Sequence, residues 1–402
     1  MVAALPVTGC WVVIGESFDG YSRRGDGGTE LDGGSLDGDV KDGDADVVPL
    51  PLGFTAEPHA VGACLAKFKV SNNVGYPTVQ TPPGPVTIAT PATAGDVDEL
   101  DTDKDPRCYV ATPALPYCLI FASTFEIQEG AHLGVFGSRA LAIVATGDIT
   151  IQRKGILDVG AFDGPGALGP GEHPGGNAAT FGGGGGNAEP GGSACGQAGG
   201  DAIAVPRLVG GGNGGGGRSN PNPACRQGGG GGGAVQLVSL CGSVRMIDNA
   251  NINATGGGGN ATTDNACPDG FGGGAGGTVW VQGADFLFDT ANGSTVDLYG
   301  GGGGGGGCRD NAGVGWTAAA GPDRDNGAAG ATCAGSGAMG GHGGAGGRIS
   351  ATVQPGVAGT AGTGEAKCGG GSGGRGRIVI QTPSADCANY PFVAVSCVAL
   401  KQ

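Results

Sequence analysis

The chain has 402 residues, of which 94 are glycine, 39% are hydrophobic and 14% are charged, with a net charge of −15. Glycine is at roughly three times its average usage, yet runs such as "GGGGGNAEPGG" break the strict third-position repeat, which excludes collagen. The acidic surplus, 17 acidic against 7 basic side chains in residues 1–110, excludes nucleic-acid binding by phosphate neutralisation, and no apolar run is long enough for a transmembrane helix.

Residues 1–46 read as a lipobox-like segment followed by an acidic spacer. "VTGC", ending at Cys10, has the form of a bacterial lipobox, in which the chain is cut before a cysteine that then carries lipid. The stretch before it, "MVAALPV", is short and lacks a basic region, so a start upstream of Met1 and a chance match both stay open. "SRRGDGGTELDGGSLDGDVKDGDAD" follows, rich in Gly and Asp and expected to be a solvated, self-repelling linker. Its Arg24-Gly25-Asp26 tripeptide is explained by that composition alone.

Residues 47–117 are rich in Pro, Val and Thr and read as short strands with turns, without an assignable role. Near their end, Asp101, Asp103 and Asp105 alternate as calcium ligands do. Pro106 stands where the sharp-turn glycine would be and Thr112 where the bidentate glutamate would be, so a calcium loop and a solvated acidic turn both stay open.

From residue 118 a repeating unit appears: an apolar strand, a tight corner, an alternating triplet, a polar corner and a second triplet. The middle triplets carry Phe125/Ile127, Ile149/Ile151, Val244/Met246 and Phe286/Phe288; the last carry Leu133/Val135, Leu157/Val159, Ile252/Ala254 and Val296/Leu298. Alternation marks strands with one buried face. Three short strands per coil predict an all-β, right-handed parallel β-helix over residues 118–382. "GRISATVQP" (347–355) and "GRIVIQT" (376–382) form a degenerate last coil, and residues 383–402 a cap containing Cys387 and Cys397.

Long glycine-rich inserts, at 160–233, 256–277 and 300–347, follow the third strand of a coil, and one at 359–376 interrupts the last coil. Stacked coils must release them side by side at one edge. Disorder is one reading of loops this long. The other is polyglycine II, extended three-residue-per-turn segments whose N–H and C=O groups, unpaired within each segment, bond to neighbours. Little serine and the cysteines inside the inserts favour order. No G-K-[ST] follows any glycine run, which excludes a phosphate loop.

Thirteen cysteines, scattered singly with no C-x-x-C and only four histidines, predict disulfides in an oxidising compartment rather than zinc. With Cys10 lipidated, twelve remain. Proximity within single segments pairs Cys195 with Cys225 and Cys387 with Cys397, and Cys308 and Cys333 are further staples of the third insert.

No residue presents itself as nucleophile or general base. Asp158, Asn253 and Asp297 occupy equivalent outward positions of successive last triplets and form either a solvated ladder or part of a groove. Trp280 points outward by alternation with Val279 and Val281, as a contact residue or beneath an insert.

"ALAIVATGDITIQRKGILDVG", the glycine tracts, "GGGGGGAVQLVSL" and "GGAGGTVWVQ" resemble the glycine-rich surface proteins and lipoproteins of myxobacteria and related deltaproteobacteria. The resemblance implies an exported protein on the cell surface, lipid-anchored in the outer membrane if Cys10 is modified, and it brings no reaction or ligand with it. The expectation is a non-enzymatic structural or adhesive protein whose inserts meet a second copy, a surface matrix or polysaccharide. The alternative is a β-helical polysaccharide lyase or hydrolase, since such enzymes place carboxylates on an exposed strand face.

Overall fold

A computed structural model of the chain describes residues 50, 54–66, 68–78, 84–90, 96–109, 115–161, 169–171, 184–194, 198–203, 208–215, 228–259, 270–304, 308–309, 315–316, 370–383 and 397–400. Among them are strands, one 3-10 turn and no α-helix. An N-terminal flap contains β1 (Phe54–Thr55), β2 (Ala60–Val61), β3 (Cys64–Leu65) and β4 (Tyr76–Pro77), with the turn Ser71–Asn73 between the last two. The first coil contributes β5 (Val86–Ile88) and β6 (Asp98–Asp101).

Three complete strands per coil then recur. The second coil is β7 (Tyr117–Ala122), β8 (Phe125–Ile127) and β9 (His132–Phe136); the third is β10 (Ala140–Ala145), β11 (Ile149–Ile151) and β12 (Ile156–Asp158). The fourth is β13 (Ala234–Ser239), β14 (Ser243–Met246) and β15 (Asn251–Asn253); the fifth is β16 (Thr278–Gln282), β17 (Asp285–Phe288) and β18 (Thr295–Asp297). A small antiparallel pair, β19 (Cys308–Arg309) with β20 (Gly315–Trp316), precedes β21 (Arg377–Gln381) and β22 (Cys397–Leu400).

The strands stack in parallel into three sheets. The first runs β7-β10-β13-β16-β21-β22, the second β5-β8-β11-β14-β17 and the third β6-β9-β12-β15-β18. The architecture is β-helix-like, and the predicted triplets lie in register: Ile149 is level with Phe125 and Val244, and Leu157 with Leu133 and Ile252. Their inward side chains form one narrow core, continued by Leu141, Val235, Val279 and Ile378 from the first sheet. The stack begins before residue 118, because Ile88 and Leu100 of the first coil join that core. "GRIVIQT" supplies β21, whereas "GRISATVQP" lies outside the described residues.

The corner between the middle and third strands turns by the same device in successive coils. Gly130, Lys154, Asn249 and Gly293 all have positive φ there, a region that glycine and asparagine enter at low cost. These corners bond to one another, Gly130 N–H to Arg153 C=O and Lys154 N–H to Asp248 C=O.

The first sheet is buried on both faces, unlike the other two. Its strands read as continuous apolar runs, "ALAIVA" in β10, which is the pattern of a sheet covered on both sides. The flap supplies part of the cover: Val61, Phe68, Val70, Val74 and Tyr76 pack on Leu119, Val144 and Val238 in a second apolar cluster. The described part of residues 47–117 thus provides both the base of the stack and a lid over its side.

Two disulfides are present among the described residues. Cys64–Cys241 ties the flap to the corner after β13, and Cys108–Cys118 lies buried at the base of the core. Neither is a pairing expected from proximity in the sequence. The partners expected there, Cys195, Cys225, Cys333 and Cys387, lie outside the described residues, as does Cys10; Cys308 and Cys397 sit on β19 and β22.

Candidate functional site: the glycine bundle and the outward ladder

The four glycine-rich inserts lie in three connections, each joining the third strand of one coil to a first-sheet strand of the next: β12 to β13, β15 to β16 and, for the last two inserts, β18 to β21. Their described parts are extended segments, nearly all buried, that run side by side. Segment 270–277 shows the rule of their packing. Gly272 and Ala275 donate their N–H groups to Gly215 and Gly212; Gly273 and Gly276 donate to Gly371 and Gly374; Gly274 and Gly277 donate to Gly257 and Ala254. Every third residue therefore bonds to the same neighbour.

The carbonyls of the same segment repeat the pattern toward three further neighbours. Gly229 and Gly232 donate to Gly272 and Ala275, and Gly304 and Gly301 to Phe271 and Gly274. Gly185 N–H and the Asn187 side-chain amide reach Gly273 and Gly276. Segment 270–277 is thus hydrogen-bonded to six others: 184–187, 208–215, 228–233, 254–259, 298–304 and 370–376. A threefold backbone, giving donors in three directions and acceptors in three, lets buried peptide groups bond to neighbours without pairing within the segment.

Glycine is required here by proximity rather than by conformation. None of the described glycines in these seven segments has positive φ. A Cβ on Gly274 would lie 1.9 Å from the Gly230 oxygen, one on Gly273 2.1 Å from Gly301 O, and one on Gly373 1.8 Å from Gly274 O. Those atoms are backbone and cannot swing aside.

Side chains fasten the bundle to the first sheet. Asn187 Nδ2 donates to Gly276 C=O at 2.7 Å and to Thr278 Oγ1 at 3.3 Å. Arg375, fully buried, makes a two-pronged ion pair with Glu189, its Nε 2.9 Å from Oε2.

The expected polar ladder exists on the outward face of the third sheet. Asp158, Asn253 and Asp297 are level on β12, β15 and β18. Asn253 Nδ2 donates to Asp158 Oδ1 at 2.9 Å, and Asn251 Nδ2 donates to Asp297 Oδ2 at 2.8 Å and to Thr295 Oγ1 at 2.6 Å. His132 Nε2 stands 3.5 Å from Asp158 Oδ2. Both carboxylates project from one flat row, engaged by amide donors, rather than facing each other across a cleft.

The three aspartates of "DTDKDPRC" diverge. Asp101 accepts from the Asp103 N–H and from Lys104, and the backbone donor holds its carboxyl below the usual range. Asp103 accepts from the Ser138 N–H and hydroxyl and lies 3.3 Å from Arg139 Nε. Asp105 is bonded to Arg107, which lowers its pKa, and Arg107 also grips both oxygens of Asp98 at 2.8 and 2.9 Å. Among the described residues no group of three or more His, Cys, Asp or Glu is gathered as a metal site would need.

Trp280 does point away from the core, and it is fully buried there, so it lies under cover and forms no contact patch. What sequence reasoning missed is a buried amide chain on the same face. Gln236 Nε2 donates to Gln282 Oε1, and Gln282 Nε2 to Gln381 Oε1. Ser71 and Asn72 of the flap bond to all three glutamines. The available signal was the recurrence of Gln at outward positions of successive first-sheet strands.

Compared with protein-family models, with curated proteins and with solved structures, the chain matches none. Among the described residues no helix is long and apolar enough to cross a membrane.

Proposed function

We propose that this is a non-enzymatic extracellular protein, structural or adhesive, in which a β-helical stem presents a rigid bundle of polyglycine II type. The observation that carries the reading is the sixfold hydrogen bonding of segment 270–277. Ordering glycine is entropically expensive, and a chain that does so repeatedly gains a stiff body whose surface is peptide backbone. Such a surface can offer regularly spaced N–H and C=O groups to hydroxyl-rich polysaccharide or to a second copy. Disulfides suit an oxidising exterior. The strand-and-glycine alternation that resembles myxobacterial surface proteins points the same way, with Cys10 as the point of lipid attachment.

Incubation of the full chain with insoluble polysaccharides, followed by pelleting and by assay of released sugar ends, tests this reading. Co-pelleting without release of reducing or unsaturated ends is the expected result. Release of sugar ends would overturn it in favour of a polysaccharide-cleaving enzyme.

A further inference from the structure

Two arginines flank the junction between the bundle and the first sheet, and among the described residues only one has a counter-charge. Arg375 is neutralised by Glu189. Arg377, level with Thr278 at the start of β21, is only 8% exposed. Its guanidinium donates one hydrogen bond, from Nη2 to the Ile203 carbonyl at 2.7 Å. Among the described residues no carboxylate is in ion-pair range of it, and burial alone, with no acidic neighbour contributing, pushes its pKa down to about 10.

A buried cation without a partner is strongly unfavourable, and a guanidinium has five N–H donors to satisfy. A second donor sits on the same outward face. Trp280, on the adjacent strand and one outward position further along, is fully buried, and its Nε1–H has no acceptor among the described residues. Among the described residues the face therefore carries a cation without a counter-charge and, in Trp280, a buried donor without an acceptor. The slight exposure of Arg377 leaves its guanidinium reachable from solvent.

We infer that Arg377 marks a binding site for a small monovalent anion, of the halide or simple carboxylate class, between the first sheet and the glycine bundle. The anion supplies the missing counter-charge and locks β21 to residue 203 of the insert. The site is independent of any adhesive or enzymatic role.

Crystals of the full chain soaked in sodium bromide, together with melting curves in chloride, test the assignment. A bromine anomalous peak within hydrogen-bond reach of the Arg377 guanidinium is expected. So is a saturable rise in Tm of about 2 °C at tenfold excess over Kd. Arg377→Gln should abolish both. No peak at saturating bromide would overturn the site. A peak without the chloride-dependent rise would mark an adventitious ion only and overturn it equally. Should the variant fail to fold, the wild-type soak and titration decide the matter alone.

Discussion

Gln236, level with Trp280 on the paired strand, and Gln282, level with Val238, meet side chain to side chain at 2.7 Å while both are fully buried. Each lies on the outward face of the first sheet, where a polar group without a partner would be strongly disfavoured. The flap resolves this: Ser71 N–H donates to Gln282 Oε1 at 3.0 Å, and Asn72 Nδ2 to Gln236 Oε1 at 2.9 Å. Asn72 takes positive φ to make that reach. The amide chain therefore fixes where the flap sits, while the apolar residues around it supply adhesion without a register.

Gln282→Met keeps the volume and removes the partners of Gln236, Gln381 and Ser71. Buried groups left unpaired cost about 1–3 kcal/mol each. The expected loss is about 2–4 kcal/mol in urea unfolding, with faster hydrogen exchange confined to residues 68–78. Unchanged exchange there would mean that apolar packing alone holds the flap.

Glycine substitutions separate proximity from conformation. Gly274→Ala would place a Cβ 1.9 Å from the Gly230 oxygen, whereas a Cβ on Gly84 meets nothing within 4 Å. Neither position has positive φ. Gly274→Ala should destabilise by more than about 3 kcal/mol or prevent folding, while Gly84→Ala should stay within about 0.5 kcal/mol of the parent. Equal melting temperatures for the two variants would show that the bundle adds nothing to stability.

The coils were legible because their information is local. Alternation at Phe125/Ile127 or Leu157/Val159 assigns an inward face, and the steps from one triplet to the next, six residues in three coils and eight from Phe288 to Val296, set the corners. The flap was not, since nothing within residues 54–77 states which surface they cover; only the apolar run "ALAIVA" hinted that the first sheet has two buried faces. Cys64 and Cys241 are 177 residues apart, so their pairing depends on the folded stack. Within the bundle each glycine is chemically the same, so sequence says that close packing is allowed but not which segment neighbours which.

The two disulfides differ in access. Cys241 is exposed and Cys64 half-buried, whereas Cys108 and Cys118 are almost wholly enclosed. Mild reduction of the native protein followed by alkylation should label Cys64 and Cys241 and leave Cys108 and Cys118 unlabelled in peptide mass spectra. Replacing Cys64 and Cys241 together by Ala should cost about 2–5 kcal/mol, as for removal of a bridge closing a long loop. Labelling of all four at equal rates would show that the base of the core opens as readily as the flap.

Tyr76 and Tyr117 make flap docking sensitive to alkali. Tyr76, on β4 of the flap, is fully buried against the first sheet, and desolvation pushes its hydroxyl up to about 12. Tyr117 is pushed higher still by burial, and its oxygen accepts the Gly75 N–H at 2.6 Å. In the unfolded chain both titrate near 10. Raised folded values mean that the stabilisation is fully present below about pH 10 and is lost as pH rises toward the folded values, because the unfolded state releases its protons first. The slope is about 1.4 kcal/mol per pH unit for each such tyrosine. Urea midpoints should therefore be nearly level from pH 8 to 9.5 and fall steeply from 10 to 12. Tyr76→Phe should remove about half of that slope while leaving the neutral-pH midpoint within about 1 kcal/mol, the net worth of the lost hydroxyl bond to Glu57 C=O. Alkaline damage to disulfides would act equally on the parent and the variant, so an identical slope in both would place the alkaline loss elsewhere than at Tyr76.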